Sequence, residues 1–162
     1  MTAAAEKRFE EFYEANRDRV YGMITLALPR EADAAEATAE AFVRAYARWG
    51  TVGGHPNPVG WVVKTALNYQ RSRWRRPRPP LGRPEVQRPP EEPLEPGIVR
   101  ALRNLPDRQR EVVVLRFLCD LSTEQTAAVL GIAPGTVTAH VHRSLSALRS
   151  ALGSLEEGSN RG

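Results

Sequence analysis

Ser122 to Leu148 reads STEQTAAVLGIAPGTVTAHVHRSLSAL. Ser122 is a helix-capping residue, and Gln125 three positions later completes a capping box. Ala127 and Leu130 supply one apolar face. Gly131 stands where a helix ends on a residue of positive φ. Ile132 follows as a buried staple, and Pro134 suits the first position of a new helix. Val137, Val141, Leu145, Leu148 and Leu152 then recur at helical spacing, one face toward a core. At about 100° per residue the opposite face carries Thr136, Ala139, His142, Arg143 and Ser146, flanked by Thr138 and His140. Two helices about a tight turn form a helix-turn-helix, which lays its second helix in the DNA major groove. A helical hairpin that packs and binds nothing also has a Gly turn. The Ser cap, Ala-x-x-Leu-Gly, Pro-Gly-Thr-Val and a downstream Arg together favour DNA.

The rest of the chain sets the context. Its 162 residues suffice for one ordinary domain or two small ones, and 41% are hydrophobic, so a core can form. The net charge of +4 is modest, and its distribution says more. Lys64 to Arg88 holds eight basic residues against the single acidic Glu85, whereas the first 48 residues hold nine acidic against seven basic. A basic centre beside an acidic start suggests two different partners. The lone cysteine, Cys119, lies in the apolar run VVVLRFLC and reads as a small core residue. No Cys/His cluster has metal-ligand spacing. No apolar run approaches the ~20 residues of a membrane span, and MTAAAEKRFEEFYE has no apolar signal segment. A soluble cytoplasmic protein is expected. Phosphate loops, nucleophile elbows and HExxH are missing, which argues against an enzyme and against a cofactor or metal.

Prolines mark a boundary. Eight of the thirteen fall between Pro77 and Pro96, in a stretch that cannot keep a helix. In polyproline geometry it would span on the order of 60 Å at ~3.1 Å per residue. That length would let two modules reach separate DNA sites, and a spacer without geometric task fits the composition equally well. The expected organisation is all-α: a helical domain over 1–76, a Pro-rich linker over 77–97, a helix-turn-helix domain over 98–152 and a loose tail over 153–162. In the first domain, Phe9, Phe12, Tyr13, Val20, Ile24 and Leu28 predict a helix ending at Pro29. Ala35, Ala39, Phe42, Val43 and Tyr46 predict a second, and Trp61, Val62, Ala66 and Tyr69 a third, starting near Pro58. The loop TVGGHPNP between them is too rich in Gly and Pro for regular structure. In the second domain, Val113, Leu115, Phe117 and Leu118 are expected under the helix-turn-helix.

The third helix ends in QRSRWRR. Asn68, Tyr69, Arg71, Arg73, Trp74, Arg75 and Arg76 combine cations, an amide and aromatic rings, a mixture suited to opened or single-stranded DNA. A solvated basic face with Trp74 on the domain edge is the plainer alternative. Trp61 and Tyr69, at helical spacing, fit a core role as well as base stacking.

NPVGWVVKTALNYQRSRWRR, the proline-rich linker and LPDRQREVVVLRFLCDLSTEQTAAVLGIAPGTVTAHVHRSL together resemble a bacterial extracytoplasmic-function sigma factor, the small two-domain kind of the sigma-70 family. The pattern is similar to actinobacterial members and covers roughly residues 9–150. The resemblance implies that residues 9–76 bind core RNA polymerase and melt the −10 element, while 98–152 read the −35 element. DAAEATAEAFVRAY is similar to the helix that docks on the β′ coiled coil, which implies Asp33, Glu36, Glu40 and Arg44 as contacts and Phe42 as support. The loop Thr51–Pro58 resembles one that captures a flipped −10 base, with His55 and Asn57 as polar candidates. Trp61, Lys64, Asn68, Arg71, Arg73, Trp74, Arg75 and Arg76 fall on the strand-opening helix. Thr136, Thr138, Ala139, His140, His142 and Arg143 fall on the −35 helix. The implied partners are core polymerase through its β′ coiled coil and β flap, promoter DNA, and an anti-sigma factor.

The chain departs from that pattern at several positions. Ala37 and Ala39 stand where Asp and Gln are common, which bears on polymerase docking. Thr126 stands where Ile is frequent. Ala133 cannot cap the reading helix, a loss of typically ~1 kcal/mol. Ala139-His140 replaces a common Ser-Arg pair, and each lost phosphate contact lowers the salt slope by about 0.9. A stand-alone helix-turn-helix regulator, whose N-terminal helices bind a protein or dimerise, is the alternative function. A protein adaptor that uses both helical modules without DNA is a third.

Overall fold

Two units make up the chain, Met1–Glu91 and Glu92–Gly162. The computed structural model describes residues 1–76 and 94–160, and among these there are helices and no strands.

The first unit is built from α1 (Ala3–Ala27), a 3-10 turn (Glu31–Asp33), α2 (Ala34–Ala47), the single turn α3 (Trp49–Val52) and α4 (Pro58–Arg75). Thr2 caps α1 by accepting from the Ala5 amide at 3.1 Å. The helix stops at Leu28, whose extended backbone is what a following proline requires. In α2 the alanines 34, 37, 41 and 45 recur at helical spacing and are all 0% exposed. This row of small side chains lets α2 pack against both α1 and α4. Ala37 therefore belongs to the core.

Beside the row, an aromatic cluster ties α1 to α2 and α3. Tyr13 meets Phe42 edge-on at 5.0 Å, and Phe9 meets Trp49 edge-on at 5.3 Å. Trp49–Val52 is helical, so regular structure reaches into the first residues of the segment expected to be a loop. Val43 and Tyr46, two of the residues whose spacing predicts α2, are 62% and 42% exposed.

The second unit contains α5 (Pro96–Arg103), α6 (Asp107–Val113), a π-helical turn (Val114–Leu118), α7 (Thr123–Leu130) and α8 (Pro134–Asn160). The expected linker lies outside the described residues as far as position 93. Its end is corrected, because Pro96 and Gly97 form the first turn of α5, where proline is tolerated. The tail is corrected as well, since α8 continues through Asn160. Helices α5, α6 and α7 all pack on α8, around Leu102, Val112, Leu115, Leu130 and Val137.

Cys119 is buried, as its apolar context predicts. Phe117 is not a core residue: it is 46% exposed. Leu115 and Cys119, one turn apart, take the inward side, which leaves Phe117 on the opposite side.

The helix-turn-helix forms as its residues dictate. The Ser122 hydroxyl accepts from the Gln125 amide at 3.0 Å, and the Gln125 side chain accepts from the Ser122 amide at 2.8 Å. Gly131 is left-handed at φ 66°, the conformation that costs glycine least. Ile132 is half-buried rather than buried. The sequence stripe also missed Ser144, which is fully buried among the apolar positions of α8. Its hydroxyl is satisfied along the helix by donating to the His140 carbonyl at 2.6 Å.

Thr126 is 0% exposed and its hydroxyl has no hydrogen-bond partner. A buried unpaired hydroxyl costs on the order of 1–3 kcal/mol, and an isosteric apolar group removes that cost. Thr126→Val is therefore expected to stabilise the second unit by about 1 kcal/mol, read as a raised denaturation midpoint with unchanged m-value.

Candidate DNA-binding and protein-docking faces

Helix α4 begins with an internal cap. Asn57 Oδ1 accepts from the Gly60 amide at 2.9 Å, and a Cβ on Gly60 would come within 2.6 Å of the Asn57 side chain. The Asn57 amide donates to His55 Nδ1 at 2.9 Å. This bond leaves the proton of neutral His55 on Nε2, on an exposed ring. Of the two expected loop contacts, His55 is free to present a donor, while the Asn57 carbonyl is already used to start the helix.

Along α4 the side chains sort by angle. Trp61, Lys64, Asn68, Arg71 and Arg75 follow at steps of three and four, which places them on one face about 80° wide. Lys64 and Arg75 are exposed, and Trp61, Asn68 and Arg71 half-buried. Trp74, 41% exposed, stands on the flank of that row. Arg76 is exposed just past the helix end. Arg73 does not share the face. It lies on the side of Val62, Ala66 and Tyr69, turned toward α2.

There Arg73 pairs with Glu36 and donates to the Tyr69 phenol oxygen at 3.3 Å. Tyr69 in turn donates to the Glu36 carboxylate at 2.8 Å. Burial pushes the Tyr69 phenol above its ordinary pKa, and Glu36 adds to this while the Arg73 hydrogen bond opposes it. Tyr69 is therefore a dependable donor at neutral pH. Its ring carries the Arg44 guanidinium at 5.3 Å, a cation–π contact, and Arg44 is bonded to Glu40 at 3.0 Å.

Residues expected at two different interfaces thus meet in one network. The outer side of α2 also presents Val43, in line with Glu36 and Glu40 at steps of four and three. The alternation of its neighbours hid this: Phe42 next to it is buried, and only the packing of α1 and α4 decides which of the two faces out.

On α8, Thr136, Thr138, His142 and Arg143 are exposed, and Ala139 is half-buried. Thr138 donates to the Pro134 carbonyl at 3.2 Å. His140 differs from them. It is half-buried, and its Nδ1 is buried with no partner. Burial, then Arg143 and Arg108, hold its pKa below the ordinary value of 6.5. His140 adds no cation to this side of α8 at neutral pH.

The two units define a helical protein with a helix-turn-helix on one and a basic-aromatic helix on the other. The sequence profile of sigma-70 region 2 matches residues 12–78, and that of sigma-70 region 4 matches residues 97–148. The RNA polymerase sigma-E factor of Streptomyces coelicolor is 31% identical over 153 residues, covering 89% of this chain and 85% of that protein. The ECF RNA polymerase sigma factor BldN of the same organism is 32% identical over 154 residues, covering 86% of this chain and 58% of that protein. The fold is also that of the Bartonella quintana sigma factor RpoE, solved in complex with the anti-sigma factor NepR. The TM-score is 0.64 at 19% identity, over 91% of this chain and 98% of that one.

The chain belongs to the extracytoplasmic-function group of the sigma-70 family. It is an alternative sigma factor, from a family of non-enzymatic transcription-initiation factors, and the match across both units disfavours a stand-alone regulator. No helix among the described residues is long and apolar enough to cross a membrane.

The pH dependence of His140 follows from its surroundings. Its folded pKa lies below the unfolded value of about 6.5, so the unfolded chain takes up a proton that the folded chain refuses. Stability is complete above about pH 6.5 and falls as pH drops toward the folded pKa. His140→Asn is expected to lessen this loss, read as a smaller drop in denaturation midpoint between pH 7 and pH 5.5 than in the parent protein.

Proposed function

We propose that the first unit docks α2 on core RNA polymerase and opens the −10 element with α4, while α8 of the second unit reads the −35 element. The observation that carries this reading is the single face of Trp61, Lys64, Asn68, Arg71 and Arg75, with exposed Trp74 on its flank. Cations spaced along one helix face follow a phosphate backbone, and the tryptophans give unpaired bases a surface to stack on. His55, just before this helix, offers its Nε2 proton to a base lifted from the stack. Arg76 extends the cationic row.

On α2 the docking face consists of Glu40, Arg44 and Val43, with Asp33 and Glu36 along the same side. It suits the β′ coiled coil, and the second unit meets the β flap. On α8, Thr136, His142 and Arg143 make the principal DNA contacts. Thr138, Ala139 and His140 contribute little charge. An anti-sigma factor is a further partner, the kind of protein with which the Bartonella relative was crystallised. The chain acts in the cytoplasm, where the polymerase is, and performs no catalysis itself.

Transcription from a promoter library, with purified protein and core polymerase, tests the whole reading. Initiation from promoters sharing paired −10 and −35 elements is expected. Tight duplex binding without polymerase, and no initiation, would return the chain to the regulators.

Two substitutions divide the roles. Arg143→Ala should weaken use of the −35 element by about 1–3 kcal/mol at one base position if the guanidinium grips a base edge in two places. An equal loss on every sequence would make it a phosphate contact. Trp74→Ala should reduce permanganate reactivity of the −10 thymines while leaving the initial duplex complex nearly unchanged in a gel-shift titration.

A further inference from the structure

Arg108 lies in the first turn of α6, a helix that packs on α8. The two helices meet closely there: the Ser144 hydroxyl of α8 reaches the carbonyl of Gln109 on α6 at 3.5 Å. Ser144 stands one turn beyond His140, so the start of α6 runs along the His140 side of α8. Thr136, His140 and Arg143 follow at steps of four and three, a single stripe of α8 on that side. Arg108 from α6 and Arg143 from α8 are each near enough to His140 to disfavour its charged form. Two guanidiniums from two helices thus flank an uncharged imidazole.

Arg108 is held in place without being used up. It donates through Nη1 to the Glu111 carboxylate at 3.1 Å, one turn along α6. The Arg108 side chain is 41% exposed, while that of Glu111 is only 12% exposed. A guanidinium has five N–H donors, and Glu111 engages one end of it. Arg110, two positions on, is the contrast: it is 6% exposed and bonded to Asp107 at 2.9 Å.

We propose that Arg108 is a DNA-phosphate ligand, which together with Arg143 grips one backbone phosphate at the edge of the −35 element. Helix α6 then contacts DNA as well as supporting α8. This rests on the reading that α8 meets −35 DNA. A phosphate on this side of α8 finds no cation at position 140, where His140 replaces a common Arg, and Arg108 supplies one from the neighbouring helix. Because Glu111 positions the guanidinium beforehand, less side-chain freedom is lost on binding. The contact sets affinity and register and carries no base preference of its own.

The test uses holoenzyme assembled from the full-length protein and core polymerase, with a promoter duplex carrying −10 and −35 elements. Competition titrations at several salt concentrations read the affinity. Arg108→Gln is expected to weaken binding several-fold and to flatten the salt dependence by about 0.9, the increment for one phosphate contact on a duplex. Arg108→Lys, which keeps the charge, should restore most of both. A set of duplexes then carries one uncharged methylphosphonate each, at successive positions across the −35 element. One such position should cost the parent several-fold in affinity and cost Arg108→Gln little more, because residue and phosphate are two ends of one contact. Thermal unfolding confirms that each variant is folded.

An unchanged affinity for Arg108→Gln overturns the proposal. So do losses that add at every phosphate, which would be the general effect of one fewer positive charge. If Arg143→Gln still shows coupling to a −35 phosphate in that case, the reading of α8 stands and only the Arg108 contact falls. A parent holoenzyme insensitive to every −35 phosphate would overturn the reading of α8 and the contact with it.

Discussion

The architecture of the first unit depends on the alanine row of α2. Residues 34, 37, 41 and 45 have no exposed surface. Small side chains there allow α1 and α4 to close on α2, since interhelical distance is set by the side chains at the contact. That closeness fixes the rotation of α4. It sends Val62, Ala66 and Tyr69 inward and leaves Trp61, Lys64, Asn68, Arg71 and Arg75 on the outer side. It also brings Tyr69 and Arg73 within reach of Glu36. A larger residue at 37 would have to be accommodated in the same contact. The alanine that departs from the common family pattern is thus part of how this chain packs.

The second unit solves a different problem, which is to hold a reading helix at a fixed angle with few residues. The capping box of Ser122 and Gln125, the left-handed Gly131 and the apolar contacts of Val137 set that angle. Three other polar residues carry the marks of a chain whose core is not wholly apolar. Ser144 is buried and satisfied along its own helix. Thr126 is buried and unsatisfied. His140 is half-buried with one nitrogen enclosed. Burial, then Arg143 and Arg108, favour its neutral form, so a position on the flank of the exposed face of α8 is partly given over to packing.

Local chemistry made much of this legible beforehand. The cap, the turn glycine, the start of α4 at Pro58 and the buried Cys119 follow from residue types whose preferences act within a few positions. The two-unit, all-α organisation followed from helical spacing and from the cluster of prolines. Less legible were the positions where two rotations of a helix were equally consistent with the pattern. Val43 and Tyr46 sit next to Phe42 and Ala45, and an apolar run does not say which members face out. Phe117 sits between Leu115 and Cys119 with the same ambiguity. Arg73 looked like its neighbours Arg71 and Arg75 because charge composition carries no angle.

The sequence by itself determined that the chain folds as helices in two units, that one unit carries a helix-turn-helix, and that cations and tryptophans gather at the end of α4. These depend on short-range backbone preferences and on composition. Tertiary structure alone decided which of those side chains are available. Asn57 is used to cap a helix, His140 is partly withdrawn, and Arg73 is held by Glu36, thirty-seven residues away in the chain. Such assignments depend on which helix faces meet, and no local preference of residues so far apart in sequence encodes that meeting.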